Sequence, residues 1–213
     1  MLPQDPSTAV TGCFLCDPPA DLTYCKTADG LAISGLGPLV DGYSVVSAVP
    51  HVRSAADAAV GGAPEFLPFA ERVRSRLIAR YGSCLLTEHG RMPVCATTVG
   101  AERHCYHAHF LCFPAVPGIV EAATGYFEIA REVAELQAAL QIARMFDEYF
   151  LLSPNPQQFF VFANQRTLPR QFARTLVAAA IGKTGEAAWQ SVPKRAEALD
   201  SANTLRTLFS GEI

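Results

Sequence analysis

From Leu22 to Val49 short apolar runs are broken by turn-forming residues, which predicts strands. Leu22 to Lys26 and Gly30 to Ser34 read as two strands joined at Ala28-Asp29-Gly30. Gly35 to Leu39 is a loop, and Asp41-Gly42 turns the chain into a third strand, Tyr43 to Val49, which leaves the sheet at Pro50-His51. The period then lengthens. Ser54 caps a short helix reaching Ala59. A longer helix runs from about Pro64 to Tyr81, with Phe66, Phe69, Val73, Leu77 and Ile78 as its apolar stripe. Arg72, Arg74, Arg76 and Arg80 read as its solvated face, and Gly82 stops it. Ser83 to Glu88 is another strand, closing in Glu88-His89-Gly90. After a loop, the apolar and aromatic run ending at Pro114 reads as a buried strand.

Beyond Pro114 the pattern differs. A long helical stretch is predicted from about Phe127 to Arg144. Glu148 to Leu152 and Gln157 to Ala163, split by Ser-Pro-Asn-Pro, read as a β-hairpin. Thr167 opens a helix reaching about Ile181, Trp189 is expected in the core, and Ala196 to Phe209 is a last helix. The fold class is α+β.

At 213 residues, half of them hydrophobic, the chain suits one large domain, or a domain with a substantial extension. A formal charge of −3 offers no basic surface for nucleic acid. No apolar run is long enough to cross a bilayer. The opening Met-Leu-Pro-Gln-Asp-Pro-Ser lacks a basic and then apolar leader, and seven cysteines are an odd number in a chain too large to need staples. Both point to reduced thiols and a cytoplasmic setting.

The chemistry concentrates in Arg103 to Pro114, which holds three of the five histidines. His107 and His109 stand two apart, so on a strand both imidazoles project to one face. Poorly solvated there, they need partners: a metal, a carboxylate, a carbonyl or a ligand. A pair of core histidines bonded to backbone is the plainer alternative. Cys13-Phe-Leu-Cys16 places two thiols on one tight turn, suited to an ion, to redox chemistry or merely to burial. Together with His51 and the His107-x-His109 pair they supply two thiolates and up to two imidazoles, a complete tetrahedral zinc set with one histidine left over.

This order of residues resembles the histidine-triad (HIT) superfamily, including its galactose-1-phosphate uridylyltransferase branch. The signature His-x-His-x-His, with Gln third in the galactose branch, corresponds to His107-Ala-His109-Phe-Leu111, followed by Cys-Phe-Pro114. Pro38 to His51 is similar to a second family segment, and Glu88-His89-Gly90 to a strand end in bacterial members with long C-terminal extensions. The resemblance covers about residues 10 to 117 and implies a HIT-like antiparallel sheet with helices packed on it. On that reading residues 1–117 are the catalytic domain. Residues 118–213 form a mostly helical extension, resembling the family only through Gln171-x-x-Arg174 and the region of Trp189.

The resemblance also implies roles. Cys13, Cys16, His51 and His107 would hold a structural zinc, and His109 would attack the α-phosphorus of a nucleotide to form a nucleotidyl-histidine. Hydrolysis or transfer then depends on whether water or another acceptor takes the nucleotide. Two positions depart from the family. Tyr43 stands where Gly-His is usual, and Leu111 stands where the third His or Gln would donate a hydrogen bond. His104, His89, Arg103 and Arg174 are the candidates to replace that donor, and Glu88 is a further candidate for substrate binding. A non-catalytic nucleotide-binding protein, motivated by Leu111, is the alternative. A zinc enzyme using His104 or His89, with an open coordination site, is a third reading. The tail would shape an acceptor or dinucleotide pocket, or form a homodimer interface.

Overall fold

The computed structural model describes residues 12–92 and 106–210, and the architecture is α+β. Among the described residues eight strands form one sheet: β1 (Thr23–Lys26), β2 (Gly30–Ser34), β3 (Ser44–Ala48), β4 (Cys84–Gly90), β5 (His109–Pro114), β6 (Ile129–Val133), β7 (Tyr149–Asn155) and β8 (Gln158–Ala163). Their spatial order is β1-β2-β3-β5-β4-β7-β8-β6, and every neighbouring pair is antiparallel. Since β7 pairs β4 directly, the sheet runs unbroken across residue 117. Six helices accompany it among the described residues: α1 (Ala55–Ala58), α2 (Phe66–Tyr81), α3 (Val120–Thr124), α4 (Leu136–Ala143), α5 (Phe172–Ala180) and α6 (Arg195–Phe209). No described helix is long and apolar enough to cross a membrane.

Both faces of the sheet are covered, so its central strands read as continuous apolar runs. Alternation still sorts their side chains. On β5, Phe110 and Cys112 join the core beneath α2, while Leu111 and Phe113 face the core beneath α5. Tyr149 and Leu151 on β7, and Phe159 and Val161 on β8, go to the α2 side. Phe150, Leu152 and Phe162 go to the other. A slip of one residue would exchange the two cores, so the register is firmly specified.

Helix α2 buries Phe66, Phe69, Ala70, Val73 and Leu77, and Gly82 ends it at φ 88°. Arg74, expected on the solvated face, is buried instead. The β4–β7 ladder ends at Leu86 opposite Ser153, beside a register break in β7. Arg74 donates through Nε and Nη2 to the Cys84 carbonyl and through Nη2 to the Ser153 carbonyl, at 3.1, 3.0 and 2.9 Å. Burial pulls its pKa down from the ordinary value. The guanidinium serves as a cap for the ladder, a role that charge periodicity does not reveal.

Residues 127–144 are the largest departure from the sequence pattern. The expected long helix is divided into β6 and the shorter α4. Good helix formers such as Ala130, Arg131 and Glu132 pair with β8, from Ile129 opposite Ala163 to Val133 opposite Phe159. The open edge of β8 supplies hydrogen-bond partners that outweigh an intrinsic preference of a few tenths of a kcal/mol per residue. Helix α5 also begins later than Thr167, after Pro169 and after Gln171, which adopts φ 54° at the N-cap.

Candidate functional site

The turn after residue 12 is closed by backbone bonds from the Cys16 and Asp17 amides to the Cys13 carbonyl, which brings both thiols to one side. His51 follows the end of β3. His107 precedes β5 on a segment bound to residues 48–52 through Ala48 N to Ala108 O at 3.0 Å and Ala108 N to Val52 O at 2.7 Å. These contacts place Cys13, Cys16, His51 and His107 with one ligand atom each, all within 4.8 Å of one another. Cys13 Sγ lies 3.3 Å from His107 Nδ1, and Cys16 Sγ lies 3.1 Å from His51 Nδ1 and 3.6 Å from His107 Nδ1. A tetrahedral ion bound at about 2.0–2.3 Å sets its sulfur and nitrogen ligands roughly 3.5 Å apart, so the group fits a metal ion. Second contacts agree: His107 Nε2–H donates to the Ala48 carbonyl at 2.8 Å. That bond fixes the tautomer and leaves the Nδ1 lone pair for the ion.

His109 is held differently. Its Nδ1 lies 2.6 Å from the His107 carbonyl oxygen, an acceptor only, so Nδ1 carries the proton and Nε2 the lone pair. Burial lowers its pKa, which keeps the ring neutral. Its neighbour His89, on β4, is stacked 5.5 Å from the Phe150 ring and accepts the Ala173 amide hydrogen at Nε2, 3.0 Å away. Burial first, and the proximity of His109 second, hold its pKa down at about 3. The neutral ring therefore bears its proton on Nδ1.

His89, His107, His109 and Leu111 line one cavity of about 150 Å³. Gln171, Arg174 and Trp189 from the C-terminal part complete its wall, with Cys13, Tyr43, Arg53 and Tyr106. Leu111 faces this space with an apolar side chain, 7% exposed. Trp189, expected in the core, is half-buried in the wall with its ring 6.4 Å from Phe14.

Glu88 does not reach the cavity. It sits on the opposite face of β4 from His89, where Oε1 accepts from the Ala55 amide at 2.6 Å and Oε2 from the Tyr149 hydroxyl at 2.7 Å. Burial raises its pKa to about 7 despite those bonds. It ties α1 to the sheet, and Gly90 makes room: a Cβ there would lie 2.1 Å from the Tyr149 ring. His104 and Arg103 lie outside the described residues. Arg53 is a cavity residue that sequence reasoning missed. Its guanidinium stands 5.5 Å over the Tyr106 ring, and its only sequence signal is its place two residues after His51.

The chain matches no family model and no curated protein.

Proposed function

We propose that this protein is a HIT-like nucleotide-phosphate hydrolase or nucleotidyl transferase acting through His109. The observation that carries the reading is the 2.6 Å bond from His109 Nδ1 to the His107 carbonyl, which leaves Nε2 as a neutral nucleophile in the cavity wall. Nε2 attacks the α-phosphorus; the P–N bond forms as the P–O bond to the leaving group breaks, and the leaving oxygen takes the electron pair. Positive charge gathering on the imidazole is stabilised through Nδ1–H by the carbonyl. Water or a bound acceptor then breaks the P–N bond and frees His109.

Cys13, Cys16, His51 and His107 would hold a zinc ion, which with four protein ligands supplies a structural tie between the Cys13 turn and the His109 strand. His89 Nδ1–H and Arg53 take over the donor role that Leu111 cannot fill, with His89 kept neutral chiefly by burial and its tautomer set by the Ala173 amide. Leu111 also supports the second reading, a nucleotide-binding protein without catalysis.

A panel of nucleoside phosphoramidates, dinucleoside polyphosphates and nucleotide sugars separates the two. The enzyme reading predicts release of a mononucleotide from at least one class, with a loss of about 10²–10³ in rate for His89→Ala or Arg53→Ala. An inert wild type that gains activity in Leu111→His contradicts it and favours the binding protein.

A further inference from the structure

Arg174 is 2% exposed, and three backbone carbonyls hold its guanidinium. Nε donates to Ala187 O at 2.8 Å, and Nη2 donates to Gly37 O at 2.7 Å and to Glu186 O at 3.2 Å. The group lies 5.1 Å over the Tyr43 ring. No carboxylate among the described residues pairs with it, and Nη1 is buried without a partner. One turn earlier, Gln171 is 9% exposed; its Nε2 donates to Gln190 Oε1 at 2.6 Å, while its own Oε1 is also buried without a partner. Both residues line the cavity. A buried cation with no direct ion pair, near the Glu186 carboxylate that Lys194 already holds, and a buried carbonyl without a donor are each costly. Placed one helical turn apart, they ask for one ligand that is anionic and also donates a hydrogen bond.

We propose that Arg174 and Gln171 form a terminal-phosphate subsite, in which Arg174 Nη1 donates to a P–O⁻ oxygen and Gln171 Oε1 accepts from the P–OH of the same group. Inorganic phosphate and phosphate monoesters that keep a proton satisfy both atoms. Sulfate, similar in shape but without a proton at neutral pH, satisfies Arg174 and sets an oxygen against Gln171 Oε1. The subsite is therefore selective for a terminal phosphate over sulfate and over an internal phosphodiester, which also lacks the proton. The wall that carries it comes from α5 and the segment before α6. This gives the C-terminal part of the chain a recognition role that stands apart from the chemistry of His109.

Trp189 is the only tryptophan in the chain and lies in the same wall, so its fluorescence reports entry of a ligand. Full-length protein titrated at pH 7 with inorganic phosphate and with sulfate, and checked by equilibrium dialysis, should bind phosphate saturably. Sulfate should bind about tenfold or more weakly, the usual effect of leaving one buried acceptor unpaired. Gln171→Leu should erase that preference while sparing sulfate binding. Gln171→Glu should abolish both by giving Arg174 an internal counter-charge, and Arg174→Lys should weaken both. Should Arg174→Lys unfold through loss of its three carbonyl bonds, the two Gln171 variants carry the test. The preference of phosphate over sulfate is read without any turnover, so failure here and failure of the nucleophile are separate results. Equal binding of phosphate and sulfate by the wild type would mean that Gln171 presents Nε2, not Oε1, and would overturn the proposal. So would the absence of phosphate binding, or a preference that survives in Gln171→Leu.

Discussion

Glu88→Gln isolates the energetics of a carboxyl group buried between α1 and the sheet. The wild-type pKa rises from 4.5 to about 7, with burial the dominant cause. The folded state therefore holds a proton that the unfolded state releases. The favourable contribution of Glu88 is complete below about pH 4.5, shrinks through the interval, and is lost above about pH 7. At about 1.4 kcal/mol per unit, the swing is of the order of 3 kcal/mol. Glutamine keeps the Ala55 bond through its carbonyl oxygen but does not titrate, and it turns an amide N–H toward the Tyr149 oxygen. Tyr149 then loses the acceptor for its own proton, a pH-independent cost of about 1 kcal/mol. The variant should be slightly less stable than the wild type near pH 4.5 and more stable by about 2 kcal/mol at pH 8. Urea denaturation of both proteins at several pH values measures this, and other titrating groups cancel in the difference. A stability difference that stays flat from pH 4.5 to 8 would refute the assignment of a raised pKa to Glu88.

Three other outcomes follow from single residues. Cys13→Ser should lower bound metal well below one equivalent by elemental analysis, and should depress the Tm more than it alters the chemistry of any remaining activity. Arg74→Met should cost about 3 kcal/mol in chemical denaturation, because it removes the three buried bonds to the Cys84 and Ser153 carbonyls. Gly90→Ala should destabilise by about 2 kcal/mol, since its Cβ displaces the Tyr149 ring and with it the hydroxyl that holds Glu88.

Where the sequence was informative, local chemistry and packing agreed. Ser54 was legible as an N-cap, and its hydroxyl accepts the Asp57 amide. Gly30 to Ser34 alternates against β3 in simple register. Cys13, Cys16, His51 and His107 were legible as one ligand set through the Cys-x-x-Cys spacing and the family resemblance, and the fold brings their ligand atoms within 4.8 Å of one another, where they could hold a metal ion. What escaped notice depended on partners far along the chain. Strand β6 is drawn from helix-forming residues by the open edge of β8. Arg74 looked like one of four surface arginines until the end of the β4–β7 ladder gave it two carbonyls. Glu88 and His89 are adjacent in sequence, yet the pleat sends them to opposite faces, so only His89 meets the cavity. The roles of Arg53 and Trp189 depend on a cavity wall assembled from segments more than a hundred residues apart.

The central claim is that His109 is the nucleophile and His107 a metal ligand. Intact-mass analysis after brief reaction with an activated nucleotide, followed by acid-free peptide mapping, addresses it directly. The account predicts a nucleotidyl adduct on His109 in the wild type. In His109→Ala the adduct should be absent and the metal content normal, whereas His107→Ala should lose metal first. An adduct that persists in His109→Ala, or that maps to another residue, would contradict the account.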